Sequence, residues 1–136
     1  MPPLPGDQGQ PIWDYNHPGG LGEVDAQMNM HDYQRQAQRT ARPDWTLEQR
    51  LTMAALGAAG ESGEFADMVK KLLFHSHDLN EEQMLLELGD ILWYVTEAAA
   101  ALGYSLETVA EMNIAKLKRR YPDGFDTERS KNRGEA

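Results

Sequence analysis

Two short acidic motifs, Glu61-Ser62-Gly63-Glu64 and Glu87-Leu88-Gly89-Asp90, carry the residues best suited to chemistry in this chain. Each sets two carboxylates three residues apart, so on a helix the members of a pair share one face. Four such groups gathered in one half-buried place repel one another. Unless some are protonated or the helices splay, a cation has to neutralise them. Oxygen-only ligands in a partly open site suit a hard divalent ion, Mg²⁺ with Mn²⁺ as the alternative. Competing chemistries lack their residues. There is no cysteine for a thiol nucleophile or zinc ribbon, and H-E-x-x-H, P-loop and nucleophile-elbow motifs are absent. A di-iron carboxylate bundle wants Glu-x-x-His pairs, which none of the four histidines supplies.

The elements that must carry these motifs are helical. A first helix is expected from Ala26 or Met30 to Thr40, where Tyr33, Ala37 and Ala41 recur at helical spacing before Pro43. Thr46 with Gln49 reads as a capping box opening a long second helix to about Phe74. Asn80 with Gln83 opens a third, which reaches Leu102 and stops at Gly103. Ser105 caps a fourth through Tyr121, before Pro122 and Gly124. Strand-type alternation is nowhere convincing, and the fold class is all-α, a four-helix bundle.

At roughly 100° per residue, Ala54, Ala58, Phe65, Val69 and Leu72 fall about 20–80° from Glu61 on the second helix. Ile91, Val95, Ala98 and Leu102 stand in the same relation to Glu87 on the third. Both acidic pairs therefore border the apolar stripe. The link over residues 75–80 is short enough to fold these helices into an antiparallel hairpin. A turn about position 76 or 77 brings Glu61 and Glu64 level with Asp90 and Glu87. Glycines at 57, 60, 63 and 89 each cost about 1 kcal/mol relative to alanine in a helix, which suggests close packing there.

Opposite charge comes from the fourth helix, where Asn113, Lys116 and Arg120 form a stripe able to reach phosphate oxygens, or simply to offset the helix dipole. Lys71 projects near Glu64 as a phosphate contact or an ion-pair partner. Tyr94 shares the face of Asp90, fit either to stack on a base or to pack in the core. His75 and His77 read as solvated loop residues.

The whole-chain properties set limits on partners. One domain is expected from 136 residues, and the net charge of −9 argues against a nucleic acid polymer, whose phosphates need a basic footprint. No apolar run is long enough to span a bilayer, and the N-terminus lacks the basic start and apolar core of a signal peptide, so a cytoplasmic protein without membrane contact is expected. Residues 1–25, rich in proline and glycine, read as an extended or disordered arm, with Ile12, Trp13 and Tyr15 as candidate anchors. The domain proper is expected over 26–125 and a polar tail over 126–136.

With these residues in view, the chain resembles the MazG-like group of all-α nucleoside triphosphate pyrophosphohydrolases. The resemblance rests on Glu61-x-x-Glu64 followed by Glu87-x-x-Asp90, on the run from Asn113 through Lys116 and Arg120 to Phe125, and on the stretch from Tyr33 to Thr40. It implies a MazG-like bundle that hydrolyses a nucleoside triphosphate to monophosphate and pyrophosphate, with Mg²⁺ held by Glu61, Glu64, Glu87 and Asp90. Within it, Glu64 is the expected proton acceptor, and Lys116, Arg120 and Lys71 would steady the pyrophosphate. Asn113 would bond a sugar or phosphate oxygen, and Gln34 and Tyr94 would select the base. A homodimer or homotetramer is also implied. Alternatives are a phosphoribosyl-ATP or dUTP/dUDP-directed hydrolase of the same superfamily, or a non-catalytic helical interaction module.

Overall fold

The computed structural model describes residues 28–132, so the proline- and glycine-rich arm expected over 1–25 lies outside the described residues. Helix α1 (Met30–Ala37) runs into a 3₁₀ turn (Gln38–Thr40). Helix α2 (Leu47–Phe74) and α3 (Glu81–Ala101) form the hairpin, α4 (Leu106–Arg120) follows, and a short α5 (Thr127–Lys131) ends the chain's described part. There is no strand among the described residues. The architecture is all-α, as the periodicity requires.

The helix ends follow from their capping residues. Thr46 and Gln49 make both arms of a capping box, with bonds of 3.2 and 3.0 Å. Asn80 accepts from the Gln83 amide, but the Gln83 side chain turns away from Asn80 and donates to Glu87 Oε1 at 2.8 Å. Gly103, at φ +82°, ends α3 in a Schellman turn: its N–H donates to Ala100 and that of Tyr104 to Ala99. Asp126 caps α5 through the Arg129 N–H, giving the polar tail a helical turn that its composition did not announce.

Packing centres on α2 against α3, with α1 laid across α3 and α4 touching α1 and α3. The antiparallel register is marked by three cross-links: Arg50 to Glu97, Gly57 to Tyr94, and Glu61 to Glu87 and Asp90. At Gly57 a Cβ would overlap the Tyr94 ring, so the ring occupies space that only glycine leaves. The other three helical glycines do not share this role. A Cβ added at Gly60, Gly63 or Gly89 would meet nothing within 4 Å, so the expected close packing is confined to position 57.

The expected α3 face also needs correction. Val95 and Leu102 are exposed, whereas Thr96, Glu97 and Ala99 are buried. The burial of Glu97 has an electrostatic basis. Glu97, at 0 % exposure, receives Arg50 Nε at 2.6 Å and Gln38 Nε2 at 2.8 Å, which makes a buried carboxylate tolerable. Only Ala54, Ala99 and Leu106 are buried apolar residues among those described, and Val109, Met112, Ile114 and Leu117 of α4 stay exposed.

Two outcomes test this packing. Gly57→Ala gains about 1 kcal/mol of helix propensity but forces the Tyr94 ring aside at roughly 1–3 kcal/mol. The expected net is a fall in thermal midpoint, and Gly63→Ala, which meets nothing, serves as the opposite control; a Gly57→Ala midpoint equal to or above wild type contradicts the close approach. For Glu97, burial pushes the carboxyl pKa up, yet the bonds from Arg50 and Gln38 and the Arg50 charge outweigh it and hold it below its ordinary value. A depressed folded-state pKa contributes stability above the unfolded value and loses it as pH falls through the folded one. Urea midpoints taken downward from neutral pH are therefore expected to decline less steeply in Glu97→Gln than in wild type; parallel declines would refute the assignment.

Candidate active site

Helix α2 delivers Glu61 and helix α3 delivers Glu87 and Asp90 to one place. One carboxylate oxygen from each lies within 4.8 Å of the others, with Glu61 and Glu87 half-buried and Asp90 exposed. This gathering has an electrostatic cost that the Glu61 carboxyl registers. Its pKa is raised by burial, then by the charges of Asp90, Glu87 and Glu64, and by a hydrogen bond with Glu87. Negative charge is thus in excess at a cluster of oxygen donors. The donor set fits a hard divalent cation, because such ions take carboxylate oxygens and relieve like-charge repulsion.

Glu64 is not one of the three. It sits one turn further along α2, exposed, and outside the 4.8 Å group. The hairpin register sets Glu61 level with both members of the second motif, whereas the sequence pattern set Glu61 and Glu64 there together. Lys71 lies within the field of Glu64 but bonds Asp67 at 2.6 Å, and Lys70 bonds the same carboxylate. Those two lysines hold the Asp67 carboxyl at a pKa of about 2.

Aromatic residues wall the cluster. A recess of about 370 Å³ is lined by Glu61, Asp90, Trp93 and Tyr94. The Trp93 and Tyr94 rings meet edge to face at 5.1 Å. Tyr94 also lines a larger, mainly apolar cavity of about 770 Å³ with Trp45, Thr52, Met53, Leu56 and Gly57. One aromatic ring therefore borders both an acidic recess and an apolar one. Arg42 sits over the Trp45 ring at 5.1 Å.

The remaining expected residues are distributed differently. Gln34 uses both ends of its amide within the fold, donating to the Tyr104 carbonyl at 3.1 Å and accepting from the Leu106 N–H at 2.8 Å. Asn113 and Lys116 are exposed and Arg120 is half-buried, all on α4. Among the described residues no ion pair joins them to the acidic group. His75 and His77 are exposed in the hairpin link.

Sequence reasoning missed two neighbours of Asp90. Half-buried Tyr33 has its hydroxyl pKa raised by burial and by the Asp90 charge. Trp93 lines the recess while its indole N–H donates to Thr40 Oγ1 at 2.8 Å and lies 3.3 Å from the Ala37 carbonyl. The available signals were the position of Trp93 three residues after Asp90 and the helical spacing of Tyr33 on a helix that had to pack somewhere.

The chain is 37% identical over 78 residues to the Gene 37 protein of Mycobacterium phage L5, a match covering 54% of this chain and 68% of the phage protein. No solved structure matches it. The family model of the MazG nucleotide pyrophosphohydrolase domain matches residues 49–125, a span that contains Glu61, Glu64, Glu87, Asp90 and the α4 residues. With more than half of its length matched, the chain belongs to the MazG nucleotide pyrophosphohydrolase domain family.

Proposed function

We propose that this chain hydrolyses a nucleoside triphosphate to the monophosphate and pyrophosphate, with Mg²⁺ or Mn²⁺ held by Glu61, Glu87 and Asp90. The observation that carries the reading is the convergence of those carboxylates beside an aromatic-walled recess, which Glu61 and Asp90 line, in a chain of this family. A divalent cation bound there supplies positive charge for phosphate oxygens and acidifies water. Glu64, beside the group but outside it, accepts the proton of the water that attacks the α-phosphorus. The bond from that phosphorus to the oxygen bridging to the β-phosphate breaks, and pyrophosphate leaves. Lys71 contacts the leaving phosphates by exchanging Asp67 for them. Tyr94 stacks on the base, whose apolar surface fits the adjoining cavity with Trp45. Gln34, its amide already committed, acts by holding α1 rather than by reading the base. The substrate in this reading is a free nucleotide, and the role is nucleotide-pool house-cleaning in the cytoplasm.

We assign the missing cationic contacts to a second copy of the chain. Nineteen large apolar or aromatic side chains among the described residues are exposed, against three buried apolar ones. That ratio is unfavourable for a lone folded chain. Val109, Met112, Ile114 and Leu117 lie on the same α4 as Asn113, Lys116 and Arg120. Burying this helix in a homodimer or homotetramer would bring its basic residues to a neighbouring acidic recess.

The two parts are tested separately. A panel of common and damaged nucleoside triphosphates, assayed for pyrophosphate with Mg²⁺ or Mn²⁺, is expected to yield at least one substrate. Glu64→Gln should lose at least about a hundredfold in turnover with its helical circular dichroism intact. Absence of metal-dependent release across the panel overturns the enzymatic reading. For assembly, light scattering is expected to give the mass of two or four chains and Met112→Glu to lower it; a wild-type monomer at micromolar concentration refutes the oligomer.

A further inference from the structure

A buried carboxylate outside the acidic recess has no part in the reaction just described. Glu97 is fully buried, and its two oxygens are taken by different partners, Oε1 by Arg50 Nε at 2.6 Å and Oε2 by Gln38 Nε2 at 2.8 Å. Arg50 closes the ring by donating to Gln38 Oε1 at 3.2 Å. The three corners come from α3, α2 and the 3₁₀ turn. Such a network is costly to leave half-made, because any unpaired member remains a desolvated polar group.

The segment that this ring grips, α1 with the 3₁₀ turn, packs on α3 and α4. Neither α1 nor the 3₁₀ turn contains a buried residue. Hydrogen bonds reinforce that packing: Gln34 to the Tyr104 carbonyl and the Leu106 N–H, Gln38 to Glu97 and Arg50, and Thr40 to the Trp93 indole. Trp93 is the link to chemistry, since its ring lines the recess with Glu61 and Asp90. Tyr33, on α1, lies in the field of Asp90.

From this geometry we infer that the Glu97–Arg50–Gln38 ring is a positioning device, which fixes the 3₁₀ turn and, through Thr40, the Trp93 wall beside Asp90. Glu97, Arg50 and Gln38 touch no substrate. They act by holding the Trp93 indole, and with it the shape of the recess, where small displacements of reacting groups reduce turnover steeply. The kinetic part of this inference rests on the proposed pyrophosphohydrolase reading, whereas the spectroscopic part does not.

The test uses the full chain labelled with ¹⁵N, with the Trp93 indole N–H signal identified by its loss in Trp93→Phe. Gln38→Ala removes one corner and leaves the Glu97–Arg50 ion pair, so the fold is retained. Glu97→Gln removes the charge and keeps the shape. Both are expected to shift the Trp93 indole signal and speed its exchange with solvent about tenfold or more. They are also expected to lower kcat about tenfold or more while KM changes less than about threefold. Thr46→Ala, which removes the α2 cap without touching the ring, is expected to lower thermal stability yet leave the indole signal and kcat unchanged. An unshifted indole signal in both Gln38→Ala and Glu97→Gln overturns the inference, as does an equal kcat loss in Thr46→Ala. If wild type releases no pyrophosphate, the functional reading fails alone, and the indole signal still decides whether the ring positions Trp93.

Discussion

The Tyr94 ring lies where a side chain on residue 57 would otherwise stand, and this close approach fixes how α2 and α3 are set against each other. Antiparallel helices slide past one another in steps of a turn, and an acidic cluster drawn from both requires one particular step. With the ring seated at Gly57, Glu61 comes level with Glu87 and Asp90, while Arg50 comes level with Glu97. The same register therefore makes an uncompensated carboxylate cluster at one level and a compensated carboxylate at another. Trp93 and Tyr94 wall the first of these, and Trp93 reaches the 3₁₀ turn that carries a member of the second.

These two acidic sites illustrate how environment decides the behaviour of one functional group. At Glu97 a guanidinium and an amide take up both oxygens, and the charge is tolerated with no water contact. At Glu61 the neighbours are other carboxylates, and the positive charges nearest along the helix, Lys70 and Lys71, are held by Asp67. Among the described residues no ion pair brings a cation to the recess. Such a surface favours cations and disfavours a bare polyphosphate.

Much of this was legible in the sequence where local rules act. The capping residues Asn80 and Ser105 and the Thr46–Gln49 box set three helix starts, since each satisfies N–H groups within its own turn. The short link made the hairpin inevitable, and the hairpin brought Glu61, Glu87 and Asp90 together. What escaped depended on partners distant in sequence. Glu97 lies in a stretch of alanines where its burial requires Arg50 and Gln38, 47 and 59 residues away. The exposure of Val95 and Leu102 was likewise hidden, because hydrophobic periodicity marks a face to be covered without saying whether the same chain covers it. The placement of Glu64 outside the carboxylate group turned on a difference in register finer than a loop length resolves.

Gln34 shows what such long-range partnerships ask of a single position. Its amide carbonyl receives the N–H of the first residue of α4, and its amide nitrogen donates to a carbonyl of the turn that precedes that helix. Glutamate offers only acceptors at neutral pH, lysine and arginine only donors, and asparagine is one methylene shorter. None of these satisfies both groups from the same backbone. The identity of residue 34 is thereby dictated by the main chain of a turn 70 residues downstream, whose carbonyl and N–H make the same demand whatever side chains that turn carries.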